Sequence, residues 1–385
     1  MQARTFLSGW LTLLACAGAL SSKNYYEESL GALRARLEKT LGADRAAGIQ
    51  IPFELDDEIV AAANDAARGA GQQTDRIQAL LDLMTDKKKL DLKYDPAVTE
   101  TAREVFRIRT GNCLSLTNLF VGMARVSSIN VRYAHVTEIE RYAPSGGSPG
   151  EGVIVHSSHI CGVISEAGRV RLIDFSPRGT RQYHSYRIID DVEALAHFYN
   201  NKGYEAGYRS AGADPAARLE REIALYETAI VVDPDFSYAY NNLGTTYKRI
   251  GELKKALDYY AKALELDPRF AEAYSNRAAI FFQEGKAAQA IDELNKALKF
   301  SPTNPYLRYD LGNLYYGYRR YKEAEDCYKR AVALDPRPAF YTALARSRIA
   351  QGKRKEALES VMKALERDPT YAEAKSLLAS LQVKP

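Results

Sequence analysis

The chain has 385 residues, of which 46% are hydrophobic and 26% are charged, and its formal net charge at pH 7 is +4. Its length gives room for two or three domains, and its composition is that of an ordinary globular protein. Because the net charge is small and no basic stripe is interleaved with aromatic residues, we expect no nucleic-acid partner.

Residues 1–22 differ from the rest of the chain. Arg4 precedes a short apolar run over 6–15, and small residues follow this run. This order predicts a secretory signal peptide rather than a membrane span. Residues 13–16 also resemble a bacterial lipobox, in which Cys16 is lipidated, so lipidation and plain export both remain open. We predict an exported bacterial protein that is periplasmic or an outer-membrane lipoprotein, with membrane contact only through such an N-terminal lipid.

Residues 23–108 read as helices with short breaks. The apolar spacing predicts helices at about residues 25–40, 51–68, 74–88 and 97–108. No residue in these segments carries an obvious chemistry.

A further helix begins at Cys113. Asn112 is a good N-cap, and apolar residues recur with helical spacing from Leu116 to Met123. Cys113 therefore lies in a first turn, where backbone N–H groups have no intrahelical partner and the helix dipole is positive. This environment favours the nucleophilic thiolate form. The alternative is a small buried cysteine that packs like alanine.

The pattern changes to strands after this helix. Strands are predicted at 130–137, 153–156, 159–164 and 169–174, and the glycine- and proline-rich segment 143–152 is a candidate lid loop. The last two strands predict a hairpin with a four-residue loop, in which Ile164 pairs with Arg169.

In that register His159 lies opposite Asp174 on one face of the hairpin. An imidazole–carboxylate hydrogen bond is then within reach, although a slip of one residue would break it. The alternative is a purely structural pair. The other histidines carry no predicted chemistry: His156 lacks a comparable partner, His135 and His184 are interpreted as surface or loop groups, and His197 lies near the repeats.

Cys161 and Cys327 are the remaining cysteines outside the signal segment. Three widely spaced thiols make neither a disulfide framework nor a zinc pattern. They fit one catalytic thiol with two inert ones, or three inert ones, and Cys161 is interpreted as a core residue. We expect no cofactor and no metal ion.

The C-terminal half repeats itself. Four prolines recur every 34 residues and a fifth follows after 33, namely Pro234, Pro268, Pro302, Pro336 and Pro369. This is the period of the tetratricopeptide repeat, a helix-turn-helix unit. We predict an all-α repeat domain over 192–385 with about five repeats and a capping helix. The first repeat carries an insertion around 211–216.

The first helices of these repeats are expected to line a concave surface. Positions 2, 5, 9 and 12 of a unit would face inward and form a peptide-binding groove from Tyr238, Asn241, Thr245, Lys248, Tyr306, Tyr309, Asn313 and Tyr316. A groove rich in tyrosine and asparagine suits an extended peptide or a partner helix. The alternative is that the tyrosines only fill space between helices.

The order of Cys113, His159 and Asp174 resembles that of the transglutaminase-like superfamily, whose domains share a papain-related thiol fold. The segments around these residues are similar to bacterial members with tetratricopeptide repeats behind the catalytic domain. The resemblance implies an α+β papain-like/transglutaminase-like domain over 23–191. It also implies a catalytic triad, with Cys113 as nucleophile, His159 as general base and acid, and Asp174 as the residue that orients the imidazole.

The sequence departs from the crosslinking members of this family at two places. Leu114 stands where those enzymes have a tryptophan, and Ile160-Cys161 follows the histidine in place of Ala-Trp. We therefore predict a cysteine hydrolase or acyl transferase that acts on a peptide or isopeptide amide, with repeats that bind a protein or peptide. The alternative is an inactive scaffold whose repeats carry the function.

Overall fold

The structure, a computed structural model, describes residues 4–7, 24–136, 159–166, 168–176, 186–208 and 214–382. Within these ranges one compact unit extends to Asn242 and a second begins at Leu243. Several predictions fall outside the described residues: lipidation at Cys16, the loop at 143–152, the strand at 153–156, and the placement of His156 and His184. The predicted domain boundary at 191 stays a prediction.

The first unit contains helices on a five-stranded sheet. Its helices are α1 (Tyr25–Leu41), α2 (Ala43–Ala47), α3 (Asp57–Ala67), α4 (Gln73–Thr85), α5 (Ala102–Ile108), α6 (Cys113–Val126), α7 (Asp191–Tyr208) and α8 (Pro215–Val232). Its strands are β1 (Arg4–Leu7), β2 (Lys93–Tyr94), β3 (Thr110–Gly111), β4 (Val131–Val136), β5 (His159–Glu166), β6 (Arg169–Asp174) and β7 (Tyr186–Ile189). The predicted helices and strands that fall in these ranges are confirmed, with shorter bounds for α3 and α5.

The sheet has the strand order β1-β6-β5-β4-β7, and its neighbouring strands are antiparallel. Strands β2 and β3 form a separate parallel pair beside α6. Strand β1 lies inside the predicted signal peptide and pairs with β6 at the sheet edge. Removal of a signal peptide would therefore leave β6 as the edge strand.

Helix α6 is the central element of this unit. Its residues from Leu114 to Arg125 are buried, and it packs against β5, α5 and α3. Glycine is required at Gly122, because a Cβ there would lie 2.6 Å from the carbonyl oxygen of Phe53. The buried Arg125 guanidinium pairs with Asp191 at 2.7 Å, so the one charged side chain in this helix has a counter-ion at the start of α7.

The register of the β5–β6 hairpin differs from the predicted one by two residues. Ile164 lies opposite Arg171, and Glu166 pairs with Arg169 across a tight turn in which Gly168 has φ +77°. The predicted four-residue loop and the Ile164–Arg169 pair are therefore wrong. Because side chains alternate with a period of two, this shift keeps every residue on its predicted face. His159 and Asp174 become diagonal rather than direct neighbours.

The second unit is a run of antiparallel helix pairs. After α9 (Ser237–Arg249), which crosses the boundary between the units, it contains α10 (Leu253–Leu266), α11 (Ala271–Gln283), α12 (Ala287–Phe300), α13 (Pro305–Gly317), α14 (Tyr321–Leu334), α15 (Pro338–Ala350), α16 (Arg354–Arg367) and α17 (Ala372–Gln382). This all-α solenoid confirms the predicted repeats and the terminal helix. In the described part of the chain, no helix has the length and apolar character needed to cross a membrane.

A glycine-on-tyrosine contact joins the two helices within a repeat. A Cβ at Gly244 would lie 2.7 Å from the Tyr260 ring, and one at Gly312 would lie 2.6 Å from the Tyr328 ring. In the first unit Gly203 of α7 meets the Tyr226 ring of α8 in the same way. The spacing is 23 residues there and 16 in the later pairs, so α7 and α8 form a repeat-like pair with a seven-residue insertion.

Candidate functional site

Asn112 fixes the start of the cysteine helix. Its side-chain oxygen accepts a hydrogen bond from the Ser115 amide at 2.9 Å, and its backbone oxygen accepts from the Leu116 amide. This confirms the predicted N-cap. The amides of Cys113 and Leu114 precede this hydrogen-bonded ladder, in the first turn of the helix.

The segment at residues 98–100 anchors this helix start from the side. Val98 O accepts from the Asn112 amide at 2.7 Å, and the Glu100 amide donates to Ser115 Oγ at 2.8 Å. Asn112 Nδ2 donates to Thr99 Oγ1 at 2.7 Å. The residues on both sides of Cys113 are therefore fixed by buried and partly buried hydrogen bonds, which restricts the backbone at the start of the helix.

The structure brings Cys113, His159 and Asp174 together. Nε2 of His159 lies 2.9 Å from Oδ1 of Asp174, and the side chain of Cys113 hydrogen-bonds to the same imidazole. The carboxylate is held in turn by Ser176, whose amide donates at 2.8 Å and whose hydroxyl donates at 2.9 Å.

Electrostatics at this site favour a charged imidazole. Burial alone would lower the pKa of His159, but the adjacent Cys113 and Asp174 outweigh burial and raise this pKa above its ordinary value. His159 and Asp174 are both buried, whereas Cys113 is partly exposed. Cys113 is therefore the most exposed residue of the three.

A second carboxyl group lies behind the helix start. Glu205 of α7 accepts a hydrogen bond from the Thr99 hydroxyl, and the neighbouring Lys202 pairs with Glu100 at 2.9 Å. Burial raises the pKa of Glu205 to about 7, against the opposing effects of Thr99 and Lys202. Thr99 and Glu205 were not predicted to lie near Cys113, because they are 106 positions apart and belong to no shared motif.

The other two cysteines are buried. Cys161 lies in a small apolar cluster with Ala134 and Leu172, and burial, reinforced by Asp174 and Cys113, raises its pKa well above the ordinary value. Burial likewise raises the pKa of Cys327, in α14, to about 11. Both thiols are thus held in the protonated, unreactive form.

His135 and His197 form a buried cluster in the first unit. His135 was predicted to be a surface or loop group, but it is only 3% exposed, and His197 is fully buried. The prediction for His135 is wrong because this side chain shares the inward face of β4 with Val131 and Tyr133. Burial, reinforced by His135 and Arg187, lowers the pKa of His197 well below its ordinary value.

The eight predicted groove residues have different surroundings. Two belong to the first unit: Tyr238 packs on the His135 and His197 rings, and Asn241 is buried. The others lie in the second unit, where Thr245 is within 3.2 Å of the Tyr260 hydroxyl. Tyr306 and Tyr309 pack on Phe340, as expected if these tyrosines fill space between helices. Asn313 accepts a hydrogen bond from the Tyr328 hydroxyl at 2.8 Å, and Lys248 and Tyr316 are the last two of the eight.

Asn313 and Tyr316 line a cavity of about 290 Å³ within the second unit. Asn276, Phe282, Asp310 and Arg346 also line it. Burial raises the pKa of Asp310 to about 7, although Lys248 and a hydrogen bond with Ser275 oppose this effect. The cavity is therefore lined both by carboxyl and amide groups and by aromatic rings, of which Phe282 is 40% exposed.

Comparison with known families assigns both parts of the chain. Residues 60–161 match the model of the transglutaminase-like superfamily. This match includes Cys113 and His159 and ends before Asp174. Four models of the tetratricopeptide repeat match residues 237–270, 259–292, 281–347 and 338–371. The chain contains a transglutaminase-like domain followed by several tetratricopeptide repeats, which confirms the predicted family resemblance and fold class.

Three of the proteins that this chain resembles each cover less than half of it. The TPR repeat-containing thioredoxin TTL4 of Arabidopsis thaliana is 38% identical over 74 residues, which are 19% of this chain and only 11% of that protein. Among solved structures, TTC0263, a thermophilic TPR protein of Thermus thermophilus, is 24% identical with a TM-score of 0.39, covering 47% of this chain and 98% of that one. YrrB, a TPR protein with an unusual peptide-binding site, is 21% identical with a TM-score of 0.36, covering 47% and 91%.

Proposed function

We propose that the first unit is a cysteine hydrolase or acyl transferase that acts on a peptide or isopeptide amide through Cys113, His159 and Asp174. The observation that supports this most directly is the hydrogen-bonded sequence of thiol, imidazole and carboxylate at the start of a buried helix. A positioned base next to a nucleophile, with a third group that orients the base, is the arrangement that covalent acyl transfer needs.

The mechanism follows from this arrangement. The Cys113 sulfur, paired with protonated His159, attacks the amide carbonyl and forms a carbon–sulfur bond. The Cys113 amide at the helix start stabilises the oxyanion. His159 then gives its proton to the leaving amine as the carbon–nitrogen bond breaks, which leaves a thioester. Next it takes a proton from water or an acceptor amine, whose attack breaks the carbon–sulfur bond, releases the acyl product and restores the starting pair of sulfur and protonated imidazole.

Alkylation by iodoacetamide at pH 6 tests whether the sulfur is activated. A thiol of ordinary pKa, about 8.5, is only about 0.3% thiolate at this pH. If His159 stabilises the thiolate, Cys113 is expected to react about 100-fold faster than the same residue in unfolded chain. Peptide mass spectrometry would report the rate for each cysteine separately.

The matched control is Cys113 in the His159→Gln variant, where exposure of the sulfur is retained and the imidazole is lost. Its rate is expected to fall by about 100-fold at pH 6 and to approach that of the parent protein above pH 9. If Cys113 of the folded parent protein reacts no faster than the buried Cys327, the enzymatic proposal fails. The alternative, an inactive domain that serves as a scaffold for the repeats, would then stand.

The repeats suggest a partner-binding role. Tetratricopeptide repeats are protein-interaction modules, and we infer that the cavity in the second unit accepts an extended peptide. Asn276 and Asn313 place polar amide groups in the cavity wall, where Asn313 is held by the Tyr328 hydroxyl at 2.8 Å, and Phe282 and Tyr316 offer apolar contact to a peptide side chain. This binding would bring a protein substrate to the enzyme or, in the scaffold alternative, would be the function itself.

Selection from a displayed peptide library, followed by affinity measurement, tests this groove. Phe282→Ala and Tyr316→Ala are each expected to weaken binding of a selected peptide about tenfold or more, because both remove aromatic area from the cavity. Met362→Ala is the matched control, since Met362 is 47% exposed on α16 and does not line the cavity. Equal losses from all three variants would contradict the proposed groove.

We also infer export, from the sequence of residues 1–22. Mass spectrometry of the N-terminus in a bacterial host would distinguish the outcomes. A diacylglyceryl group on Cys16 is expected if the lipobox is used, and an unmodified new N-terminus if the protein is only exported. An intact N-terminus that begins at residue 1 or 2 would contradict both, and it would be consistent with β1 as a permanent edge strand.

A further inference from the structure

Three side chains in the first unit converge on one point away from Cys113. His135 projects from β4, and Glu193 and His197 project from one face of α7, one helical turn apart. Their candidate ligand atoms all lie within 4.8 Å of one another, and His197 Nε2 is 3.9 Å from Glu193 Oε1. The imidazole rings of the two histidines have centroids 5.0 Å apart.

We propose that His135, Glu193 and His197 bind a divalent transition-metal ion, with Zn²⁺ as the preferred ion. Two imidazoles and one carboxylate are a ligand set that suits Zn²⁺, which binds such nitrogen and oxygen atoms at about 2.0–2.2 Å. Both histidines are buried and the Glu193 side chain is only 18% exposed, so ligands from two elements are already held close together. No metal ion was predicted from the sequence, because His135 is far along the chain from Glu193 and His197 and meets them only in the fold.

Aromatic rings surround the cluster, and its ligand atoms lie somewhat farther apart than bound Zn²⁺ requires. Phe236 lies with its ring centroid 4.6 Å from that of His197, and Tyr238 lies 5.7 Å from both imidazoles, so aromatic rings enclose the site. Tetrahedral ligands of Zn²⁺ stand about 3.3 Å apart. The three ligands therefore have to approach one another by up to about 1.5 Å, a shift that rotation of side chains can supply.

Arg187 is the competitor for this site. Its guanidinium forms a two-point ion pair with Glu193, with Nη1 at 2.6 Å from Oε2, and its side chain is 54% exposed. A metal ion that takes a Glu193 oxygen has to displace this cation or bind beside it. Because the arginine is exposed, it can turn into solvent. Metal binding and the Arg187–Glu193 pair should thus oppose each other, a property that an ordinary structural cluster would not show.

The test is a titration of metal-free full-length protein with Co²⁺ and Zn²⁺, after chelator treatment, in a Cys113→Ala background that removes the thiol of the other site. We expect one Zn²⁺ per chain with Kd below about 10 μM, a visible absorption band from tetrahedral Co²⁺, and a rise in Tm of about 5 °C at a hundredfold excess over Kd. His197→Gln should weaken binding about 100-fold, and His159→Gln, a control whose imidazole pairs with Asp174 in the other site, should leave it unchanged.

Arg187→Gln gives the second, opposite readout. Removal of the competing cation should tighten Zn²⁺ binding about tenfold, and circular dichroism would verify that each variant is folded. This gain keeps the test decisive even if His197→Gln destabilises the fold. The proposal is overturned if Zn²⁺ does not bind stoichiometrically with Kd below about 10 μM, or if Arg187→Gln does not raise the affinity. The cluster would then be aromatic packing next to the Arg187–Glu193 ion pair.

Discussion

Replacing Cys113 with alanine is expected to lower kcat for an activated acyl ester by about 10⁵-fold, because no other group can form the acyl-enzyme. The two remaining cysteines offer no substitute, since Cys161 and Cys327 are buried and burial raises the pKa of each thiol. Asp174→Asn should be about a hundredfold less damaging than Cys113→Ala, because it disturbs only the orientation and charge of the imidazole. Stopped-flow acylation with a chromogenic ester measures both variants.

The control for this pair of variants is Cys161→Ala. Cys161 lies close enough to Asp174 and Cys113 that both raise the pKa of its thiol, yet it packs in an apolar cluster. Its replacement should leave kcat unchanged within about twofold. If Cys161→Ala lowers kcat as far as Cys113→Ala, the nucleophile has been assigned to the wrong sulfur. If no variant changes the rate, the ester is not hydrolysed at this site.

The contact between His159 and Asp174 was predictable even though its register was not. Alternation of side chains fixes which residues share a face, and a shift of two residues preserves that face. Asp174 therefore stays on the side of His159, and a diagonal neighbour still lies within reach of an imidazole. The turn, in contrast, depends on the positive φ of Gly168, which the pattern of the strands does not encode.

Contacts between elements far apart in sequence set the limit of prediction. The 34-residue period predicted the repeats, and the Gly–Tyr contact follows the same period, because both recur locally. The hydrogen bond between Thr99 and Glu205 and the approach of His135 to His197 arise only when α7 packs beside the sheet. One local signal was available: Glu193 and His197 stand four residues apart on α7, where they share a helix face.

Glu325 of α14 is the charged centre of the last repeats. Its side chain is 4% exposed and accepts hydrogen bonds or ion pairs from Lys353 at 2.6 Å, Lys329 at 3.0 Å and Arg348 at 3.1 Å, with Gln351 at 3.0 Å. Burial works against ionisation, but these four partners outweigh it and lower the pKa of Glu325 to about 2. One carboxylate thus holds together three cations, which lie on α14, on α15 and directly before α16.

Glu325→Gln is expected to lower the free energy of unfolding of the repeats by about 3 kcal/mol, because three clustered cations lose their common anion. In the parent protein the folded-state pKa lies below the ordinary 4.5, so the stabilisation is present above pH 4.5 and is lost as pH falls toward 2. Urea unfolding at pH 7 and pH 3 should show a difference in the free energy of unfolding between parent and variant that shrinks at the lower pH.

The control is Glu323→Gln, which removes an exposed partner of Arg320 and should leave the urea midpoint unchanged at either pH. If Glu325→Gln unfolds at the same urea concentration as the parent protein, the three cations are solvated well enough without the carboxylate. Glu325 would then contribute nothing to the stability of the repeats.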